Sequence, residues 1–282
     1  MQIWSSDGFA GTDVVNVGGL SVTAQNILFV TNQSITWEPD PYDGIFGLGF
    51  QADSVLDSAP FFQRLINNGE VKKGVYGFYL SPIKVGHAEL TLGDVDYSKL
   101  TGPLRPIPVD VTVTTNTGHF TANITDIIVN GQGGHFLGQS AIPDTGTSNI
   151  VAPTNDAATK LYELISPKIQ LVNTAGIYAV PCSEIIEIPA EVTFDFAGVP
   201  MKFPSSELNV GPIPTGSATI GPYKGRNDLC QTVVIGGGPG TLIGPEFNDV
   251  WIVGGTILKY YYTAWDVTNV GISVATTVQS PK

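Results

Sequence analysis

Asp144-Thr145-Gly146-Thr147-Ser148 puts an acid, hydroxyl side chains and a glycine on one short stretch, and Asp-Thr-Gly occurs once in the chain. Ala141-Ile142 before it and Ile150-Val151 after it read as strands, so the acid falls on a tight loop between them. Glycine lets neighbouring backbone approach closely. The hydroxyls of Thr145 and Thr147 can hydrogen-bond to whatever faces them. This is how an aspartate is held still for acid/base work. Such work needs two carboxylates, because like charges a few ångströms apart cannot both ionise and one must carry the proton they share. One half of that pair is legible here.

Other residues capable of chemistry form no pattern. His87, His119 and His135 are scattered among strand and turn residues, without nucleophile or metal-ligand spacing, and are expected to be structural. Ser148 lacks the glycine frame of a nucleophile elbow. Gly236-Gly237-Gly238-Pro239-Gly240 is followed by neither a lysine nor a clear helix, so it reads as a turn rather than a phosphate loop. No metal site and no cofactor are expected. Tyr260 to Tyr262 reads as core.

The elements that must position Asp144 are mostly strands. Asp13–Val17 and Ser21–Thr23 flank Gly18-Gly19-Leu20 as a hairpin, with Asn26–Val30 as the next strand. Tyr42 to Phe50 alternates apolar residues with glycine, which suits a backbone packed closely against another layer. A helix follows, with Ser58 as cap, Pro60 in its first turn, Phe61-Phe62 and Leu65-Ile66 as its apolar face, and Asn67-Asn68-Gly69 as its stop. Val75–Leu80, Ala88–Leu92, His119–Ile124 and Asp126–Val129 return to strand, with a turn at Asn130-Gly131. Thr154 can cap a helix through Ala157, Leu161 and Leu164 that Pro167 ends. Val192–Phe196 and Val250–Val253 are later strands, and Ile257 to Trp265 closes the core. The prolines between Pro103 and Pro108 mark a boundary, giving units of 1–106 and 107–282.

Of the 282 residues, 42% are hydrophobic and only 13% charged, with 33 Gly and 20 Pro. Acids outnumber bases 25 to 13, for a net charge of −12. Nucleic acid is therefore not an expected partner, since phosphate binding needs a basic patch. Such a surface suits acidic surroundings, where protonated carboxylates repel less. Cys182 and Cys230, the only cysteines, read as one disulfide in an oxidising compartment, worth about 4 kcal/mol for so long a loop, or as two buried thiols. Asn32-Gln33-Ser34 and Asn123-Ile124-Thr125 are acceptor sequons for N-glycosylation. No apolar run reaches membrane-spanning length, and Met1-Gln2-Ile3-Trp4 does not open like a signal peptide.

Together these features resemble the pepsin-like aspartic endopeptidases, from about Gly8 to about Ala275. Asp144 to Ser148 is similar to the catalytic loop of that family's second lobe. Tyr42-Asp43-Gly44-Ile45-Phe46-Gly47-Leu48-Gly49 resembles the hydrophobic-glycine element behind the first lobe's loop. Trp251-Ile252-Val253-Gly254-Gly255 resembles its second-lobe counterpart, and Tyr260 to Asp266 the strand that follows. Cys182 and Cys230 fall where the family places a second-lobe disulfide.

The resemblance implies a mainly β, bilobal acid protease fold with the start of the first lobe missing. It also implies hydrolysis of extended polypeptides at acidic pH, by a monomer secreted or held in a vacuolar lumen. Asp144 would be catalytic, with Thr145, Gly146 and Thr147 supporting its loop. A second Asp-Thr-Gly loop is absent. Asp7-Gly8 and Asp43-Gly44 lack the intervening hydroxyl, and the family's first loop would lie several dozen residues before Met1. Pro143, directly before Asp144, stands where the family prefers an aliphatic residue. The expectation is a chain with little peptidase activity alone; the alternative is a non-catalytic peptide- or protein-binding homologue that keeps the cleft.

Overall fold

A computed structural model describes residues 6–33, 43–238 and 250–281. It opens with a hairpin of β1 (Ser6–Val17) and β2 (Leu20–Gln33). Gly18 and Gly19 turn the chain at φ 58° and 83°, a conformation that costs glycine nothing. The strands expected at 21–23 and 26–30 are one strand, interrupted at Ala24, whose φ is 53°. Trp4, Ser34 and Tyr42 lie outside the described residues.

Next come α1 (Phe61–Asn67), β3 (Val75–Tyr79), β4 (Glu89–Leu92) and β5 (Arg105–Ile107). Pro60 rather than Ser58 stands at the N-cap of α1, whose buried face is Phe61, Phe62 and Leu65. The helix α2 (Val111–Thr117) has no counterpart in the sequence reading. Its Val and Thr residues favour strands, but Asp110 caps it by accepting from the Val113 N–H, and Gly118 closes it in the left-handed region.

The chain then builds β6 (Ala122–Ile124), β7 (Asp126–Val129), β8 (Gln132–Gly133), β9 (Gln139–Pro143), β10 (Ile150–Ala152) and α3 (Asn155–Ile165). The strand expected from His119 starts only at Ala122. Thr154 caps α3 as expected. Its inner face, however, is Ala158, Leu161, Tyr162 and Ile165, while Leu164 is exposed. The helix stops at Ile165 because Ser166 precedes Pro167 and is extended.

After it run β11 (Gln170–Leu171), β12 (Tyr178–Pro181), α4 (Cys182–Ile185), β13 (Val192–Asp195), β14 (Pro200–Phe203), β15 (Asn209–Pro212) and β16 (Leu229–Thr232). The last elements are β17 (Val234–Gly236), β18 (Val250–Val253), α5 (Gly255–Leu258), β19 (Tyr261–Asp266) and β20 (Gly271–Thr276).

Two sheets matter for the site. One runs β4-β3-β19-β20-β5, antiparallel throughout, and interleaves N-terminal and C-terminal strands. The division expected at 106/107 falls inside β5 of this sheet. The other runs β17-β10-β18-β9-β6, with β9 and β18 parallel. Beneath it Trp251 is fully buried, with the Phe136 and Phe194 rings edge-on at 5.7 and 5.6 Å. Tyr261 and Tyr262 are buried too.

Candidate active site

Asp144 leaves the end of β9 with its N–H bonded to the Val253 carbonyl at 2.9 Å. Successive residues of a strand direct their N–H groups to opposite sides. Pro143 therefore lacks a donor only on the side toward β6, where pairing stops at Ala141. Proline is accommodated there because no ladder bond is lost.

The carboxylate is held by its own loop. Oδ1 accepts from the Gly146 N–H at 2.9 Å and Oδ2 from the Thr147 hydroxyl at 2.5 Å. The Thr145 hydroxyl makes no hydrogen bond among the described residues. The far side of the loop is clamped by the chain after β18: Gly255 donates to the Thr147 carbonyl at 2.6 Å, and Thr256 donates to the Ser148 carbonyl through both its N–H and its hydroxyl. A Cβ on Gly254 would lie 2.2 Å from the Thr147 carbonyl oxygen and 2.3 Å from that of Asn149. Only glycine fits at this crossing.

The N-terminal glycine segment behaves differently. Residues 43–50 are irregular, and a Cβ on Gly44 or Gly47 would meet nothing within 4 Å among the described residues. The expected close packing is met only at the end of the segment, where a Cβ on Gly49 would lie 3.0 Å from the Gly118 carbonyl oxygen. Ile45 is 76% exposed and Phe46 46%.

A pairing that the sequence did not disclose lies beside Asp144. After Phe50 the chain makes a short 3-10 turn, Gln51–Asp53. Phe50 donates to the Gly118 carbonyl at 3.1 Å, and its ring packs on Phe120 at 4.7 Å. Asp53 Oδ1 then lies 3.4 Å from His119 Nε2. The Asp53 carboxyl titrates above its usual range, first because burial disfavours its charge, with His119 pulling it down and Asp144 pushing it up. Partners so distant in sequence follow no local periodicity.

The remaining candidates are dispersed. Cys182 and Cys230 form a disulfide with Cα atoms 4.8 Å apart, tying the start of α4 to β16. Asn123 is exposed on β6, the edge strand of its sheet. Asn32 is exposed near the end of β2. Asp7 lies on β1 opposite Asn32, and Asp43 begins the irregular segment. His87 and His135 occupy positive-φ turns. Gly236 ends β17, and Pro239-Gly240 lie outside the described residues. Among the described residues no three His, Cys, Asp or Glu side chains could hold a metal ion. No helix among them is long and apolar enough to cross a membrane.

Comparison with known proteins supplies the context for this loop. A family model for eukaryotic aspartyl protease matches residues 2–277. An aspartic protease of Phaffia rhodozyma is 31% identical over 279 residues, covering 97% of this chain and 61% of that protein. Pepsin-2B of Gadus morhua is 30% identical over 268 residues, or 93% of this chain and 72% of its own length. Pepsin A of Bos taurus is 28% identical over 273 residues, 96% of this chain and 66% of its own. The chain thus spans roughly two thirds of the length of these relatives.

Proposed function

Because the chain belongs to the eukaryotic aspartyl protease family, we propose that Asp144 is the second-lobe member of a catalytic aspartate pair acting on peptide bonds of extended polypeptides. Gly146 and Thr147 set its carboxylate, and the crossing at Gly254 fixes the loop from behind. The reaction needs a second carboxyl to carry the shared proton and to hold the attacking water from the other side. The observation that carries the reading is the carboxylate's company. Both oxygens bond to its own loop, and among the described residues neither bonds to another carboxyl. These 282 residues by themselves are accordingly a weak or inactive peptidase. The units 1–106 and 107–282 form two lobes around a groove for the polypeptide. The disulfide and the exposed sequon at Asn123 support an oxidising, secretory or vacuolar setting, and the chain acts as a monomer.

A transition-state mimic tests this reading. Tight binding of a statine-type peptide requires two carboxylates around its hydroxyl. The chain should bind such a peptide and its unmodified counterpart with equal affinity in calorimetry. A preference of about a hundredfold or more for the statine would show a working pair. The second reading, a non-catalytic polypeptide binder, rests on the same one-sided carboxylate and predicts binding of both peptides without turnover.

A further inference from the structure

We propose that the loop joining β3 to β4 is a processing site, nicked after Lys84 by a peptidase selective for basic residues, and that the two resulting pieces stay together. The modification concerns this chain as a substrate and is independent of the role given to Asp144. β3 ends at Tyr79 and β4 begins at Glu89, the two residues paired opposite each other. Between them Ile83, Lys84 and Val85 form the tip, all exposed, with Ile83 at 100%. A bond is cut in a folded protein only where the residues around it can open into another enzyme's cleft without disturbing the core.

The tip meets that condition. Among the described residues the hydrogen bonds of residues 81–87 stay within the loop. Val85 and Gly86 both donate to the Pro82 carbonyl, at 2.8 and 3.1 Å, and the Ser81 hydroxyl donates to the Gly86 carbonyl. His87 holds a φ of 59°, a conformation that its side chain disfavours. Opening the tip therefore breaks local bonds alone and releases a disfavoured backbone turn.

Other exposed basic residues are held from outside their own turns. Lys72 and Lys73 are flanked by Val71, which packs on the core, and by Gly74, whose carbonyl accepts from the Val267 N–H at 2.8 Å. Between Lys224 and Arg226, the Gly225 N–H donates to the Ala218 carbonyl at 2.9 Å. Lys168 has its carbonyl bonded by the Tyr223 hydroxyl at 2.8 Å. The chain has 13 Lys and Arg residues, and all but the terminal Lys282 lie among the described residues.

Hydrolysis breaks the C–N bond between Lys84 and Val85. The water oxygen joins the Lys84 carbonyl carbon to leave a carboxylate, and both water hydrogens end on the Val85 nitrogen as an ammonium. The smaller piece carries β3 and the larger carries β4 and β19, the two strands that flank it. β3 therefore stays enclosed on both edges by the other piece. Tyr76 and Tyr79 on β3 are buried, and the Tyr76 ring stacks on Trp265 at 6.1 Å. Cys182 and Cys230 both belong to the larger piece, so the union is noncovalent.

The test is brief digestion of the 282-residue chain by dilute trypsin at neutral pH, followed by intact-mass spectrometry and gel filtration. The first products should be residues 1–84 and 85–282, eluting together in native buffer at the position of the uncut chain and separating in denaturant. Lys84→Gln, an exposed change that should leave the melting temperature within about a degree, should slow the first cut at least about tenfold. A first cut after any other basic residue, or equal rates for the two chains, overturns the site. Simultaneous cleavage at many bonds overturns it too, because the loop would then not be the weak point. Pieces that elute apart in native buffer overturn the two-chain form.

Discussion

Two segments of this chain are written in nearly the same letters, large apolar residues running into glycine, yet they end in opposite surroundings. After Trp251-Ile252-Val253, Gly254 is wedged against the Thr147 and Asn149 carbonyls, with every member of β18 after Val250 buried. After Ile45-Phe46, Gly47 faces open space among the described residues, and the two apolar side chains are substantially exposed. The neighbouring hairpin shares that exposure, with Phe9 and Phe29 stacked on each other at 5.3 Å on its surface. An apolar-glycine pattern states that backbone could pass close to something. Whether it does depends on what lies beside it: the Asp144 loop crosses at Gly254, and at Gly47 nothing does among the described residues. The C-terminal element therefore clamps the Asp144 loop, while the N-terminal one is open at Gly44 and Gly47 among the described residues and approaches other backbone only at Gly49.

Substitution of aromatic residues should break the symmetry most sharply. Trp251→Ala removes a buried ring contacting Phe136 and Phe194 and should cost about 4 kcal/mol in denaturant unfolding. Phe9→Ala, on the exposed hairpin, should stay within about 0.5 kcal/mol. Similar losses for both would mean that the hairpin is core and the contrast false.

The glycines give the next largest difference. Gly254→Ala must displace two backbone carbonyls and should destabilise by about 3 kcal/mol, whereas Gly47→Ala should be neutral within about 0.5 kcal/mol. Equal melting temperatures for the two variants would contradict the packing described.

Within the loop the threonines divide similarly. Thr147→Val strips a hydroxyl from the Asp144 carboxylate and should cost about 1.5 kcal/mol, as expected for a hydrogen bond to a charged group. Thr145→Val should cost less than about 0.5 kcal/mol. A larger loss at Thr145 would reassign the supporting hydroxyl.

How far these features were legible in the sequence follows from the range of the interactions. The Asp144 loop is local chemistry on consecutive residues, and its type could be read from the letters. So could α3, bracketed by Thr154 and Pro167. The helix α2 was hidden because Val111 to Thr117 has strand-forming side chains, and the cap at Asp110 with the stop at Gly118 outweighed them. The face of α3 was displaced by one residue because Leu164 is apolar but points to solvent. Asp53 and His119 were invisible for a different reason: their meeting depends on a glycine making room between chains far apart in sequence, which no periodicity records.

Acid response gives the smallest and most selective effect. Burial and the Asp144 charge raise the folded Asp53 carboxyl above its ordinary 3.8, against the pull of His119. Between 3.8 and that raised value the folded state binds the extra proton, so Asp53 favours folding as pH falls; above the window its ionised form opposes folding. Asp53→Asn should therefore raise the melting temperature by about one or two degrees at neutral pH, a modest change because the group is half exposed. It should leave the melting temperature unchanged near pH 3, where the carboxyl is neutral in both states. A fall at neutral pH would mean that the His119 contact outweighs burial.

The central claim is that a single well-held aspartate identifies the chemistry without completing it. Its most direct test is the rate at which the purified 282-residue chain hydrolyses an acid-unfolded protein at about pH 3 to 4, measured beside Asp144→Ala. The account predicts that the two chains are indistinguishable and no faster than the buffer blank. Cleavage by the unaltered chain that Asp144→Ala abolishes would contradict it.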